Sequence, residues 1–197
     1  MNRQILMGII SIFAVVGLVG GLAVAYFSDI GTSTDNVFAS GTFNLKLGNS
    51  APASSDNVSA TWTGSGMAPG GTGITSTLYL RNSGTVPGDH VHFKATNTLT
   101  DNPDAEDLGP MARHLEITSL VYSGTPVSVP ETNGNGYADL EDLQSVGDGI
   151  TLGSLTDLNV DHALVMTVRL NSDVNDTYQG DSVSTVFTST LHQNAGQ

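Results

Sequence analysis

From His162 to Asn171 the chain reads HALVMTVRLN, with Leu164, Met166, Val168 and Leu170 at every second position. Successive side chains of an extended chain point to opposite faces, so this alternation gathers the apolar residues on one side of a strand, where a helix would scatter them. The same period recurs outward in both directions. Toward the C-terminus, Ser182–His192 carries Val183, Phe187 and Leu191. Toward the N-terminus lie Leu115–Tyr122, His90–Thr96 with Val91, Phe93 and Ala95, and Ile74–Asn82 with Leu78 and Leu80. Gly41–Leu47 sets Phe43, Leu45 and Leu47 opposite Asn44 and Lys46. Clusters of glycine, proline, asparagine and aspartate part the runs: GMAPGGTG at 66–73, RNSGTVPGD at 81–89 and DNPDAEDLGP at 101–110. Alternation punctuated in this way predicts an all-β fold, an antiparallel β-sandwich of jelly-roll type over residues 41–197. Short helical turns are expected at Pro103–Leu108 and Asp139–Gln144.

Ahead of the strands, Ile5–Val24 contains no charge and is preceded by one cation, Arg3. The segment closes on Ala23-Val24-Ala25, the small-x-small pattern that signal peptidases accept. Residues 1–25 therefore read as a secretion signal cut between Ala25 and Tyr26. A span of this length also reaches across a bilayer, so an uncleaved anchor is the alternative. A pilin-type signal, cut ahead of the apolar segment, calls for basic residues at the cut, which Met7-Gly8 lacks. Cleavage after Ala25 would leave Tyr26, Phe27, Ser28, Asp29 and Ile30 at a mature N-terminus, where two bulky aromatics have no reason to face water. Residues 26–40 form a segment and linker ahead of the sandwich.

The 197 residues carry a formal net charge of −13, and removing residues 1–25 takes away one charge, Arg3, to give −14. Like charge repels, which excludes nucleic acid and anionic membrane surfaces as partners and confines membrane contact to the stage before signal cleavage. The chain has no cysteine, so disulfides and thiolate metal sites are excluded. Stability must come from the core, from bound ions or from neighbouring subunits. The length that remains suits one domain with a continuous core.

His90-Val91-His92 puts two imidazoles on one face of a strand, a spacing at which they could share a metal. The plainer expectation is an outward polar face beside inward Val91 and Phe93. His114, His162 and His192 have no patterned carboxylate, and the chain lacks His-Glu-x-x-His, Gly-x-Ser-x-Gly and a phosphate-binding glycine loop, so no residue is assigned to catalysis. A stronger local signal is ETNGNGYADLED, Glu131–Asp142. Glu131, Asn133, Asn135, Asp139 and Asp142 stand at positions 1, 3, 5, 9 and 12 of a loop of EF-hand length. Gly136 allows the sharp turn at position 6, and Tyr137 offers its carbonyl at position 7, so hard oxygen ligands fall at the offsets that Ca²⁺ requires. The loop resembles the dockerin version of the EF-hand, with Glu131 departing from the usual Asp. An Asn-Gly hairpin with a solvated acidic tail is the alternative. Asn57-Val58-Ser59 and Asn175-Asp176-Thr177 are glycosylation sequons.

Taken in order, AYFSDIGTSTDNVFASGTFNLKL, WTGSGMAPGGTGITSTLYLRNSG and NDTYQGDSVSTVFTSTLHQ resemble the TasA and camelysin family of secreted biofilm-fibre proteins. The specific parts are the aromatic opening Tyr26–Asp29, Phe38-x-x-Gly41-Thr42-x-x-Leu45, the Met67-x-Pro69-Gly70 turn before Asn82-x-Gly84, and Tyr178-Gln179-Gly180-Asp181 with Gln193. Asn97–Asp157, which contains the calcium-like loop, matches least. The resemblance implies a jelly-roll subunit exported with a signal cut by a dedicated signal peptidase. It implies a secreted homopolymer, head to tail, in which the N-terminal segment of one subunit completes the sheet of the next. Tyr26, Phe27, Ser28, Asp29 and Ile30 would be that donor strand, and residues 26–34, spanning about 30 Å when extended, suffice for it; the alternative is that the segment is the first strand of its own sandwich. The camelysin side of the family brings a metalloprotease alternative. A membrane-tethered calcium-dependent adhesin is a further one.

Overall fold

The computed structural model describes residues 2–22, 40–59, 61–100, 109–175, 178 and 180–194. The chain divides into two units, Met1–Ala39 and Ser40–Gln197. The first contains helix α1, Arg3–Leu22, with Ile5, Met7, Ile10, Ile12 and Phe13 all exposed. A helix apolar all round has no water-facing side and suits lipid or an export channel. Among the described residues no helix is long and apolar enough to cross a membrane. The expected cleavage residues Ala23, Ala25 and Tyr26, the segment Tyr26–Ile30 and the expected turn at Pro103–Leu108 lie outside the described residues.

The second unit is built of strands. They are β1 (Leu45–Gly48), β2 (Ile74–Asn82), β3 (Gly88–Thr100), β4 (Leu115–Tyr122), β5 (Thr125–Pro126), β6 (Ile150–Leu155), β7 (Asp161–Leu170) and β8 (Ser182–His192). A single-turn helix α2, Leu140–Ser145, interrupts them, and a 3₁₀ turn spans Met111–His114. One antiparallel sheet has the order β1-β2-β7-β4-β5 and a second has the order β6-β3-β8. The segment HALVMTVRLN is the middle strand of the larger sheet, paired on both sides, and its Leu164, Met166, Val168 and Leu170 are buried. From the smaller sheet, Val91, Phe93 and Ala95 of β3 and Ile150, Leu152 and Leu155 of β6 join the same core. The two sheets thus share one apolar interior, as alternation predicted.

Several boundaries differ from the sequence reading for physical reasons. β3 runs well beyond His90–Thr96, because it pairs with β8 along its whole length, from His90↔His192 to Thr100↔Ser182. That ladder holds polar residues that carry no apolar alternation. β1 starts later than expected. Residues 42–44 instead cradle the 82–86 turn, with Ser83 N donating to the Asn44 carbonyl at 2.7 Å and Thr85 N to the Thr42 carbonyl at 2.8 Å. Phe43 is therefore exposed and does not share the buried face of Leu45 and Leu47. β6 was not expected at all: Gly149 and Gly153 both hold positive φ, and the pairing with β3 shifts register around Val91. The turn expected at Asp139–Gln144 is α2, with Asp139 as its N-cap.

Candidate functional site

The Met67–Gly70 turn, Tyr178 and the start of β8 line one cavity of the second unit. Asn82 is fully buried and serves as an internal clamp, donating Nδ2 to the Val86 carbonyl at 2.8 Å and accepting from Gly84 N at 3.0 Å. Gly84 is required because a Cβ there would run into the Thr42 carbonyl. The Met67–Gly70 turn is tied to the end of β7 by Gly70 N donating to the Leu170 carbonyl at 2.9 Å, and Gly70 takes φ +67°. Tyr178 joins the chain after β7 to the 3₁₀ turn, its hydroxyl lying 2.8 Å from His114 Nε2.

β8 begins beside the Met67–Gly70 turn and Tyr178. Among the described residues it pairs only with β3. Its inward residues Val183, Phe187 and Leu191 are half-buried and packed against the core cluster, unlike their fully buried counterparts Val91, Phe93 and Ala95 on β3. Cavities of about 600 Å³ and about 560 Å³ lie along this side, joined through a smaller one that shares Gly64 and Val183 with both. Met67, Met111 and Leu170 line one end; Leu47, Val58 and Leu78 line the other. Trp62 stands over the middle, its Nε1 donating to the Met166 carbonyl at 2.9 Å. The result is a groove of mixed polar and apolar lining beside a strand edge that no further described strand pairs, the arrangement in which an added strand gains backbone hydrogen bonds and side-chain pockets together. Asn57 and Asn175, the sequon asparagines, are exposed at opposite ends of the same groove.

The loop Glu131–Asp142 is held together by hydrogen bonds from its own N–H groups to its carboxylates. Asp139 and Asp142 are fully buried and form a reciprocal capping box: Asp142 N donates to Asp139 Oδ1 at 2.8 Å and Asp139 N to Asp142 Oδ2 at 3.1 Å. Asp139 Oδ2 accepts from Asn133 Nδ2 at 2.8 Å and Asn135 Nδ2 at 2.7 Å, and Asp142 Oδ1 accepts from Thr132 N at 2.7 Å. Glu131 accepts from Gly134 N and Asn135 N. Gly136 supplies the sharp turn with φ +91°. Burial holds the Asp139 carboxyl above the usual carboxylate range, with the Asp142 charge adding to the effect, while donors from Asn133, Asp142 and Asn135 pull it back. Tyr137 directs its hydroxyl toward His114 Nδ1, 3.5 Å away.

Histidines meet on the outer face of the smaller sheet. His90 and His192 are direct cross-strand partners, and His92 lies diagonally across from His192. Ring centroids are 4.9 Å apart for His90–His192, 4.7 Å for His90–His92 and 4.6 Å for His92–His192. One nitrogen from each lies within 4.8 Å of the others. His90 Nδ1 is 2.9 Å from Asp89 Oδ2, and His92 Nδ1 is buried without a hydrogen-bond partner. Burial lowers the His92 pKa, and the neighbouring His192 and His90 lower it further against an opposing pull from Asp148. Val91 and Phe93 point inward as expected, but His90, on the opposite face of β3, is buried rather than solvated. The sequence could pair His90 with His92 through the strand period; His192 was out of its reach, since only the β3–β8 register brings it there.

A family model described as camelysin metallo-endopeptidase matches residues 1–197. No curated protein matches the chain.

Proposed function

The chain belongs to the TasA/camelysin family, and from that premise we propose that it is a structural subunit of an extracellular filament, polymerising as the N-terminal segment of one copy enters the groove of the next. The observation that carries this reading is the β8 edge, with half-buried Val183, Phe187 and Leu191 beside a groove whose apolar lining comes from Leu47, Val58, Trp62 and Leu78. The smaller sheet has three strands among the described residues, and one strand added at β8 would give it a fourth and would cover the groove. Residues 26–34 of a second copy have the length for this and an aromatic pair that gains from burial. Such a contact is head to tail and does not close, which generates filaments. Export with removal of residues 1–25 by a signal peptidase frees the segment and sets the site of assembly outside the cell. A glycan on Asn57 or Asn175 would stand at the rim of the groove and modulate access to it.

Ca²⁺ binding at Glu131, Asn133, Asn135, Tyr137, Asp139 and Asp142 is part of the same proposal, as a brace for the loop that precedes α2. The support is that these residues converge and that two of the carboxylates are buried together.

The family description favours a second reading, a metallo-endopeptidase. Electron microscopy separates the two. Under conditions where the mature chain forms filaments, a variant lacking residues 26–34 is expected to remain monomeric and folded. Full-length filaments from that variant, or casein cleavage by the mature chain that EDTA abolishes, would overturn the structural reading.

A further inference from the structure

We propose that His90, His92 and His192 form a binding site for a borderline divalent transition ion, Zn²⁺ above all, which clamps the end of β8 to β3. The cluster joins positions about a hundred residues apart in sequence through strand register, with a nitrogen of each histidine within 4.8 Å of the others. In a tetrahedral site with Zn–N near 2.0–2.1 Å, ligand nitrogens stand about 3.4 Å apart, so modest rotations of the rings bring the three onto one ion. Imidazole suits Zn²⁺, Ni²⁺ and Cu²⁺ and does not suit Ca²⁺, which takes oxygen ligands.

Further features fit this ligand set. Asp89 Oδ2 holds His90 Nδ1 at 2.9 Å, the carboxylate–histidine pairing that orients a metal-binding imidazole and leaves its Nε2 free to coordinate. His92 Nδ1 is a buried nitrogen with no hydrogen-bond partner, a loss that a bound cation would repair. The Asp89 carboxylate, 2.9 Å from His90, also brings a negative charge toward a bound dication. Three ligands leave a coordination position for water. The site lies on the outer face of the β6-β3-β8 sheet, so its occupation is separable from the groove on the inner side.

Calorimetry on the tag-free chain, stripped with EDTA and titrated with ZnCl₂, tests the proposal. One Zn²⁺ per subunit is expected, with a melting temperature that rises in excess ZnCl₂ because the ion binds the folded state. CoCl₂ should give the visible absorption of a low-coordinate nitrogen site. His192→Gln, at the end of a strand and outside the core, should weaken Zn²⁺ by about 100-fold, and Asp89→Asn by about 10-fold through loss of orientation. Absence of Zn²⁺ binding in the wild type, or wild-type affinity in a folded His92→Gln/His192→Gln double variant, would overturn it. Neither result bears on filament assembly, which is read by microscopy.

Discussion

Trp62 meets Phe187 edge to face, with ring centroids 5.0 Å apart and planes at 66°. Phe187 in turn stacks on Phe93 at 5.2 Å, so the floor of the groove is joined to the centre of the core by a chain of three aromatic rings. Trp62 lies in a segment without regular structure and is fixed there by its Nε1 hydrogen bond to the Met166 carbonyl. The groove is therefore a built feature of the sandwich.

Phe187→Ala should act on both stability and assembly. Phe187 is half-buried, so the loss should be roughly half of the about 1.5–3 kcal/mol that full burial of a large side chain contributes. Loss of the edge-to-face contact adds about 0.5–1.5 kcal/mol. Urea denaturation of the monomer is expected to show a lower midpoint, and filament yield should fall by more than the stability loss explains. A drop in stability with unchanged assembly would place the donor strand elsewhere.

The calcium loop is best tested away from its buried pair, because Asp139 and Asp142 cap α2 and a capping residue alone contributes about 1 kcal/mol. Glu131→Gln keeps an oxygen to accept from Gly134 N and Asn135 N while removing a charge. Ligand charge count tunes affinity in such loops, so Ca²⁺ binding measured by titration calorimetry should weaken about tenfold. Equal Ca²⁺ affinity in Glu131→Gln and wild type would remove the loop as the site.

Alkaline stability should carry the signature of Tyr122. Burial raises its phenol pKa well above the usual 10.0, and its hydroxyl donates to the Ser154 carbonyl at 3.2 Å. The folded state therefore keeps its proton where the unfolded chain releases it. Stability from this group is fully present below pH 10 and is lost as pH rises beyond it. Tyr122→Phe should cost about 0.5–1.5 kcal/mol at neutral pH from the lost hydrogen bond, and its melting temperature should decline less steeply between pH 10 and 11. Parallel declines in the two proteins would contradict the assignment.

The strands that sequence alternation revealed are those whose apolar residues line one face: Ile74–Asn82, Leu115–Tyr122 and Ser182–His192 coincide with β2, β4 and β8. β6 escaped because Gly153, with positive φ, interrupts a short run that starts just after Gly149, and β5 because two residues show no period. Asp139 and Asp142 were legible as a pair through loop spacing, which finds oxygen-rich positions but does not show that the two cap a helix through each other. The histidine cluster was half legible. His90 and His92 share a face by period, whereas His192 enters through β3–β8 register, which is fixed by packing across the whole sheet and leaves no local mark.

The strand-donation reading makes a prediction at the level of single side chains. In an extended segment Tyr26, Ser28 and Ile30 point one way and Phe27 and Asp29 the other, so one aromatic can enter the groove while its neighbour faces out. Phe27 is expected to be the inserted residue, with Val183, Phe187 and Trp62 as its surroundings. The mature chain lacking residues 26–34 should then be a monomer whose melting temperature rises when a synthetic peptide of residues 26–34 is added in excess, because the peptide binds the folded state alone. The same peptide carrying Phe27→Asp should give little rise, since a carboxylate set against Val183, Phe187 and Trp62 must be desolvated without a partner. Added to the full mature chain, the unmodified peptide should also shorten filaments seen by electron microscopy by occupying acceptor grooves. If the Phe27→Asp peptide stabilises the deletion variant as well as the unmodified one, Phe27 does not enter the groove. If neither peptide changes the melting temperature, the edge of β8 is not an acceptor.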